Sequence, residues 1–177
     1  MSIDNIIKES LVLINSKNLD SALKKLEEAQ AKDSRIYFLI GSINLSLNNI
    51  DIAKKNLLLA NKLDKNNPSV FHNLGIIAEK ENDITGAKKN YLNAIKINNN
   101  KESLCELGKI MLNENNFLEA KKYFEKALEI DQNYEKALYR KGKLYLKMNY
   151  FNEGWKNILK ATGVIAFSEK GVEIINE

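Results

Sequence analysis

One histidine, His72, and one cysteine, Cys105, are present in the 177-residue chain. They are the most reactive pair that the sequence offers, because a thiolate and an imidazole within hydrogen-bond reach can act as a nucleophile and its base. The two residues lie 33 positions apart, at the same place in two successive copies of a repeated segment described below. Helices from successive copies stand too far apart for this contact, so the spacing argues against a catalytic dyad.

The sequence contains no other arrangement that is typical of an active site. No cluster of Cys and His has the spacing of metal ligands, no glycine-rich loop could bind phosphate, and no pair of acids marks a cleft. A single cysteine also excludes a disulfide within the chain. These observations predict a protein that is not an enzyme and that uses neither a metal ion nor a cofactor.

The composition is typical of a folded, helical protein. Hydrophobic residues make up 44% and charged residues 28%, with one proline and eight glycines, which favours long helices over a turn-rich β-fold. The net charge of +4 is too small to indicate a nucleic-acid binder by itself. Residues 1–13 include Asp4, Lys8 and Glu9 and so lack the apolar core of a signal peptide, and no apolar run reaches the roughly 18 residues of a membrane span. We therefore expect a cytoplasmic protein with no membrane span.

Four series of residues recur at steps of 34, 33 and 34 positions. The series are Gly41, Gly75, Gly108 and Gly142; Ala53, Ala87, Ala120 and Gly154; Ala60, Ala94, Ala127 and Ala161; and Leu57, Tyr91, Phe124 and Ile158. Small residues let helices approach each other where large neighbours fill the remaining space. Such a period predicts an array of similar structural repeats.

Each copy contains two apolar stripes separated by a short polar break. In the second copy, the stripes at residues 37–45 and 53–63 have helical spacing. Asn48-Asn49 separates them, and the later copies have Asn82-Asp83, Asn115-Asn116 and Asn149-Tyr150 at the same place. Because Asn and Asp accept hydrogen bonds from the free amides that open a helix, a second helix should begin there. The break is short, so the two helices should pack antiparallel.

These residues closely resemble the tetratricopeptide repeat, in which Leu-Gly lies in the first helix and Ala, an aromatic residue and Ala lie in the second. The third copy matches with Phe71, Leu74, Gly75, Ala87, Tyr91 and Ala94, whereas the first copy has Ser10 in place of the glycine. The resemblance implies an all-α fold, an α-solenoid with a right-handed superhelical twist. Residues 1–162 would form five helix-turn-helix repeats, at about 3–33, 34–67, 68–100, 101–134 and 135–162, followed by a separate segment at 163–177.

The resemblance also implies a scaffold or adaptor whose first helices line a concave groove that binds a peptide or a partner helix. Matched positions of the second to fifth repeats give four rows of candidate groove residues. The rows are Phe38, His72, Cys105 and Tyr139; Leu39, Asn73, Glu106 and Arg140; Ser42, Ile76, Lys109 and Lys143; and Leu45, Glu79, Leu112 and Leu146. We expect Phe38 and Tyr139 to be substantially exposed, as anchors for a ligand whose acidic end lies toward the fifth repeat.

Some members of this family have a carboxylate clamp, which binds acidic C-terminal tails of chaperones through five basic and amide residues. Lys136 and Arg140 match two of its positions, but the other three hold His72, Ile76 and Glu106. Glu106 would repel the carboxylate of such a ligand. We therefore expect no clamp function.

The second helices carry Lys-Lys pairs at identical positions of three repeats, Lys54-Lys55, Lys88-Lys89 and Lys121-Lys122. In the second and third repeats, no acid lies four residues further on, so we expect these lysines to be unpaired. The stripe suggests an alternative function, the binding of nucleic acid or another anionic surface. No aromatic side chains accompany the stripe, which makes nucleic acid the less favoured partner. Lysines that only solvate the surface are the simpler interpretation.

The segment at residues 163–177 interrupts the repeat. Residues 163–167 and 172–175 are β-prone and flank a turn-like stretch, which predicts a small hairpin near Trp155. The alternative is a short capping helix that begins at Ser168 and covers the apolar side of the last repeat. An open strand edge would allow self-association with a second chain.

Overall fold

Ten α-helices make up most of the part of the chain that the computed structural model describes, residues 2–29, 32–163, 166–168 and 171–173. The helices are α1 (Ile3–Asn15), α2 (Leu19–Glu28), α3 (Ser34–Ser46), α4 (Ile50–Leu63), α5 (Pro68–Lys80), α6 (Ile84–Ile97), α7 (Lys101–Asn113), α8 (Phe117–Ile130), α9 (Glu135–Lys147) and α10 (Phe151–Thr162). Each odd-numbered helix packs against the helix that follows it. The predicted all-α fold of the solenoid class is therefore confirmed.

The chain divides into two compact blocks, residues 1–97 and 98–177. The first block holds the hairpins α1–α2, α3–α4 and α5–α6, and the second holds α7–α8 and α9–α10. Within the first block, α2 also packs on α3 and α4 on α5, while α8 packs on α9 in the second. The exact repeat boundaries stay predictions.

The recurring glycines lie where the two helices of a hairpin cross. A Cβ atom added to Gly75 would lie 2.5 Å from Cε1 of Tyr91, and one added to Gly108 would lie 2.5 Å from Cε1 of Phe124. Both rings are completely buried. In the third and fourth repeats the glycine and the aromatic residue therefore form one packing unit, in which the missing side chain makes room for the ring.

The polar breaks between paired helices perform two different tasks. Their first residue has a left-handed backbone, with φ between 59° and 63° at Lys17, Asn48, Asn82, Asn115 and Asn149. Asparagine tolerates this conformation better than most residues. The second residue caps the next helix in several repeats: the Asp83 carboxylate accepts a hydrogen bond from the Gly86 amide at 2.8 Å. The first residue of the break therefore reverses the chain, and the second helix begins directly after the break, as predicted.

The C-terminal segment contains two short strands within its described residues. Strand β1 (Ala166–Ser168) pairs antiparallel with β2 (Gly171–Glu173), with Phe167 opposite Val172. Gly163, with φ of 72°, ends α10 in the left-handed region that favours glycine. The rest of the segment at residues 164–177, including the predicted turn between the strands at residues 169–170, lies outside the described residues.

Within the described part of the chain, none of the helices combines the length and the hydropathy that crossing a lipid bilayer requires.

Candidate interaction surfaces

In the block of residues 1–97, helices α3 and α5 present one surface that contains eight predicted groove residues. We call it the first-helix face; its members are Phe38, Leu39, Ser42, Leu45, His72, Asn73, Ile76 and Glu79, and all eight are partly accessible to solvent. Phe38, Leu39 and Leu45 pack against the core on one side. Phe38 is therefore less exposed than we expected, because the residue also closes the core beneath it.

Polar contacts hold several side chains of the first-helix face in place. The Asn73 amide donates a hydrogen bond to the Ser42 hydroxyl at 2.9 Å and so links α5 to α3. The buried Tyr91 hydroxyl donates to the Glu79 carboxylate at 2.7 Å. The imidazole of His72 lies 5.6 Å from the Tyr91 ring, centroid to centroid. This surface thus combines apolar side chains with polar ones that already have partners within the fold.

In the block of residues 98–177, the predicted groove residues differ in how far they are accessible to solvent. Cys105, Glu106 and Leu112 are buried, so the structure corrects their assignment to an open groove lining. Tyr139 is only partly accessible, and the Lys143 ammonium lies 4.9 Å from the centroid of its ring. The remaining predicted residues, Lys109, Arg140 and Leu146, are also partly accessible.

Glu106 is the buried centre of an ionic cluster in this second block. Its carboxylate lies 2.8 Å from the Lys109 ammonium and 3.1 Å from the Arg140 guanidinium, with the Lys136 ammonium at 3.9 Å. Arg140 also donates a hydrogen bond to the Cys105 carbonyl at 3.0 Å. The two basic residues that resemble a clamp are therefore engaged with Glu106 rather than turned toward a ligand.

The pKa values of the neighbouring residues Glu106 and Cys105 are shifted in opposite directions. Burial alone would raise the pKa of Glu106, but the charges and hydrogen bonds of Arg140 and Lys109 outweigh it and hold that pKa below its usual value. Burial raises the pKa of the Cys105 thiol to about 11, despite the nearby Arg140 charge. Cys105 is therefore a neutral thiol at physiological pH and lacks the thiolate character that a nucleophile needs.

The Lys-Lys pairs of the second helices form two rows with different surroundings. The first lysine of each pair is partly buried, and the second (Lys55, Lys89 and Lys122) is exposed. Lys54 pairs with Glu81 at 2.7 Å, and Lys121 lies 3.9 Å from Glu125. The expectation that the lysines of the second repeat are unpaired was therefore wrong for Lys54, whose acidic partner comes from the end of α5 rather than from α4.

Sequence reasoning also missed a fourth member of the exposed row. Lys156 lies 34 positions after Lys122, at the equivalent position of the fifth repeat, and is exposed as well. The period of the glycines could have identified it, but the residue before it is Trp155, so no Lys-Lys pair marks the position. The recurring element is the second lysine, not the pair.

The described residues contain no group of His, Cys, Asp and Glu that could hold a metal ion. An open cavity of about 340 Å³ lies between the start of α9 and the end of α10, lined by Glu135, Lys136, Tyr139, Ala161 and Thr162. A shallow cavity of about 600 Å³ lies at the start of α5 and the end of α6 and is lined by Lys65, Asn66, Phe71, Asn93, Lys96 and Ile97.

Comparisons with known proteins agree with the observed architecture. Sequence profiles described as "Tetratricopeptide repeat" match residues 34–67, 68–101 and 102–134, which together exceed half of the chain. No curated protein sequence matches the chain significantly.

Several solved structures have a similar fold. Pseudomonas aeruginosa pilF has a TM-score of 0.79 at 19% identity, covering 90% of this chain and 75% of its own. MamA has a TM-score of 0.69 at 16% identity, covering 90% of both chains. YrrB, described as "a TPR protein with an unusual peptide-binding site", has a TM-score of 0.64 at 22% identity and covers 89% of this chain and 84% of its own. At these identities the likeness concerns the fold alone.

Proposed function

The chain belongs to the tetratricopeptide repeat family, and on that premise we propose that it is a non-catalytic scaffold that binds a peptide or partner helix on its first-helix face. The observation that carries the proposal is the accessibility of this surface. All eight of its residues remain partly open to solvent, whereas three of the equivalent residues on α7 are buried.

The side chains of the first-helix face provide the two kinds of contact that peptide recognition uses. Phe38, Leu39 and Ile76 offer apolar surface, which gives affinity when it is covered by a ligand side chain. Ser42 and Asn73 offer hydroxyl and amide groups, which can exchange hydrogen bonds with the backbone of an extended chain. A ligand would therefore be held by apolar anchors and placed in register by polar contacts.

The order of this surface also favours binding. Immobilising a flexible side chain at an interface costs about 0.5–1.5 kcal/mol. Asn73 is already fixed by its hydrogen bond to Ser42, and Phe38 and Leu39 rest on the core beneath them. Much of the free energy needed to immobilise these side chains is therefore already spent on folding, before a ligand binds.

The charge of the surface indicates which ligands fit. Glu79 is its only acidic residue, and it contains no lysine or arginine. The first-helix face therefore has no lysine or arginine that could pair with a densely acidic peptide, and Glu79 would repel such a peptide. We infer that the ligand is a largely uncharged segment with two or more apolar side chains.

The test is a selection of peptides from a random library on the purified chain, followed by affinity measurements with variants. Ile76→Glu places a charge on the first-helix face, and Thr85→Glu places the same charge on an exposed position of α6 as the control. Ile76→Glu should weaken binding of the selected peptides about tenfold or more, equivalent to about 1.4 kcal/mol. Equal affinity of both variants for every selected peptide would contradict the proposal.

A further inference from the structure

The outer surfaces of α4 and α6 carry the same alternation of exposed lysine and exposed aliphatic residues. We call this the Lys–Leu face; its members are Lys55, Leu58 and Lys62 on α4, and Lys89, Leu92 and Lys96 on α6. Each residue of the first set lies 34 positions before its counterpart in the second. Leu58 and Leu92 are 50% and 48% exposed, so each offers apolar surface to the solvent between two exposed lysines.

Helical geometry places the members of each set on one side. Three residues turn a helix by about 300° and four by about 400°, so Lys55, Leu58 and Lys62 lie within about 60° of one another around the axis of α4. They span roughly 10 Å along that axis. The same spacing holds for Lys89, Leu92 and Lys96 on α6.

The lysines of the Lys–Leu face are not used by the fold. Lys55, Lys62, Lys89 and Lys96 form no ion pair with any residue in the described part of the chain, in contrast to Lys54, which pairs with Glu81. Asp51 is the only acidic residue on the two helices. The face therefore presents positive charge and apolar surface together.

The corresponding surface of α8 lacks this combination. Lys122 occupies the position of Lys55 and Lys89, but the next two positions of the pattern hold Glu125 and Glu129 instead of leucine and lysine. Lys122 itself lies 3.5 Å from the Glu119 carboxylate. The alternation is thus a property of α4 and α6 and does not follow from the repeat.

We propose that the Lys–Leu face docks on the surface of an anionic lipid bilayer. Its lysines would contact lipid phosphates, and Leu58 and Leu92 would enter the boundary between headgroups and acyl chains. Charge complementarity requires an anionic partner, and the exposed aliphatic groups require one that also offers apolar surface. A bilayer offers both without preformed pockets for these protruding side chains.

Nucleic acid satisfies only the first requirement. It would match the lysines, but the two helices expose no aromatic side chain on this face for bases to stack on, and the leucines would gain nothing from a phosphate backbone. The Lys–Leu face lies on the second helices and is separate from the first-helix face, so the two proposals can fail independently.

The experiment is flotation of the whole chain with vesicles of phosphatidylcholine alone or mixed with phosphatidylglycerol, at low salt. We expect binding only to the mixed vesicles. Lys55→Glu/Lys89→Glu should weaken it about 20-fold or more, because each lysine near an anionic surface contributes about 1 kcal/mol, or a factor of about five. Leu58→Ser/Leu92→Ser should weaken it several-fold while leaving the net charge unchanged.

Lys122→Glu is the matched control, because it makes the same charge change at the same repeat position on α8. It should retain most of the vesicle binding, as should the groove variant Ile76→Glu. Absence of wild-type binding to the mixed vesicles would overturn the proposal. The proposal would also be overturned if Lys122→Glu and a single Lys89→Glu change weakened vesicle binding equally, or if the leucine changes had no effect on it. Tighter binding of the chain to RNA or DNA than to the vesicles would overturn it as well.

Discussion

Replacing Gly108 with leucine should destabilise the α7–α8 hairpin strongly. The Cβ alone would lie 2.5 Å from Cε1 and 2.7 Å from Cδ1 of Phe124, whose ring is completely buried. Overpacking of this kind costs about 1–3 kcal/mol, and leucine adds further carbons beyond that overlap, so the upper end applies. Removing a glycine from a helix interior returns about 1 kcal/mol. The net loss should therefore be about 2 kcal/mol.

The assay is urea and thermal unfolding followed by far-UV circular dichroism, with Trp155 fluorescence as a second probe in the same block. For a chain of this size, the expected loss corresponds to a fall in melting temperature of roughly 4–8 °C. Asn113→Leu is the control, because it adds the same side chain to an exposed position of the same helix. If both variants unfold at the same midpoint, Gly108 does not lie at a tight crossing and the hairpin packing described above is wrong.

Three further predictions concern charge, an unused hydroxyl and backbone strain. Glu106→Gln leaves the Arg140 guanidinium without its counter-charge and should cost about 2 kcal/mol at neutral pH. The pKa of Glu106 in the folded chain lies below its ordinary value of 4.5, so the carboxylate stabilises the fold above that value. The difference in stability between Glu106→Gln and wild type should therefore shrink as the pH falls through the lowered pKa. A stability difference that is constant between pH 7 and strong acid would refute this prediction. The buried Ser10 hydroxyl has no hydrogen-bond partner in the described part of the chain, so Ser10→Ala should stabilise by about 1 kcal/mol in urea unfolding, and a lower midpoint would show that the hydroxyl is used. Lys17 has a φ of 60°, so Lys17→Gly should raise the melting temperature by relieving about 1 kcal/mol of left-handed strain, whereas an unchanged or lower value would argue that the turn is unstrained.

The sequence predicted the fold because the repeat constrains many positions at once. Gly75 with Tyr91 and Gly108 with Phe124 recur at a fixed distance, and only a helix crossing explains why a missing side chain and a large one should recur together. The break at Asn48 was also visible. The sequence did not show which residue of the break turns the chain and which caps the next helix. Asparagine is common both in caps and in left-handed turns, and only the backbone angle distinguishes them.

The candidate sites were harder to predict because side-chain pairing crosses between helices. The sequence has no acid four residues after Lys54, and its partner Glu81 lies 27 residues away at the end of α5. Glu106 was expected to face a ligand because it occupies a position that matches predicted groove residues in the other repeats. Arg140 and Lys109 compensate its charge and allow it to be buried. A pattern of positions cannot supply such compensation without the geometry of the neighbouring helix.

The location of the binding surface can be measured directly by titrating the isotope-labelled chain with its tightest selected peptide and following amide chemical shifts by NMR. If the first-helix face binds the ligand, the largest changes should fall on α3 and α5, around Ser42, Asn73 and Ile76, and Ile76→Glu should abolish them at the same peptide concentration. Changes confined to α9 and α10, or to the outer surfaces of α4 and α6, would contradict the proposed peptide site.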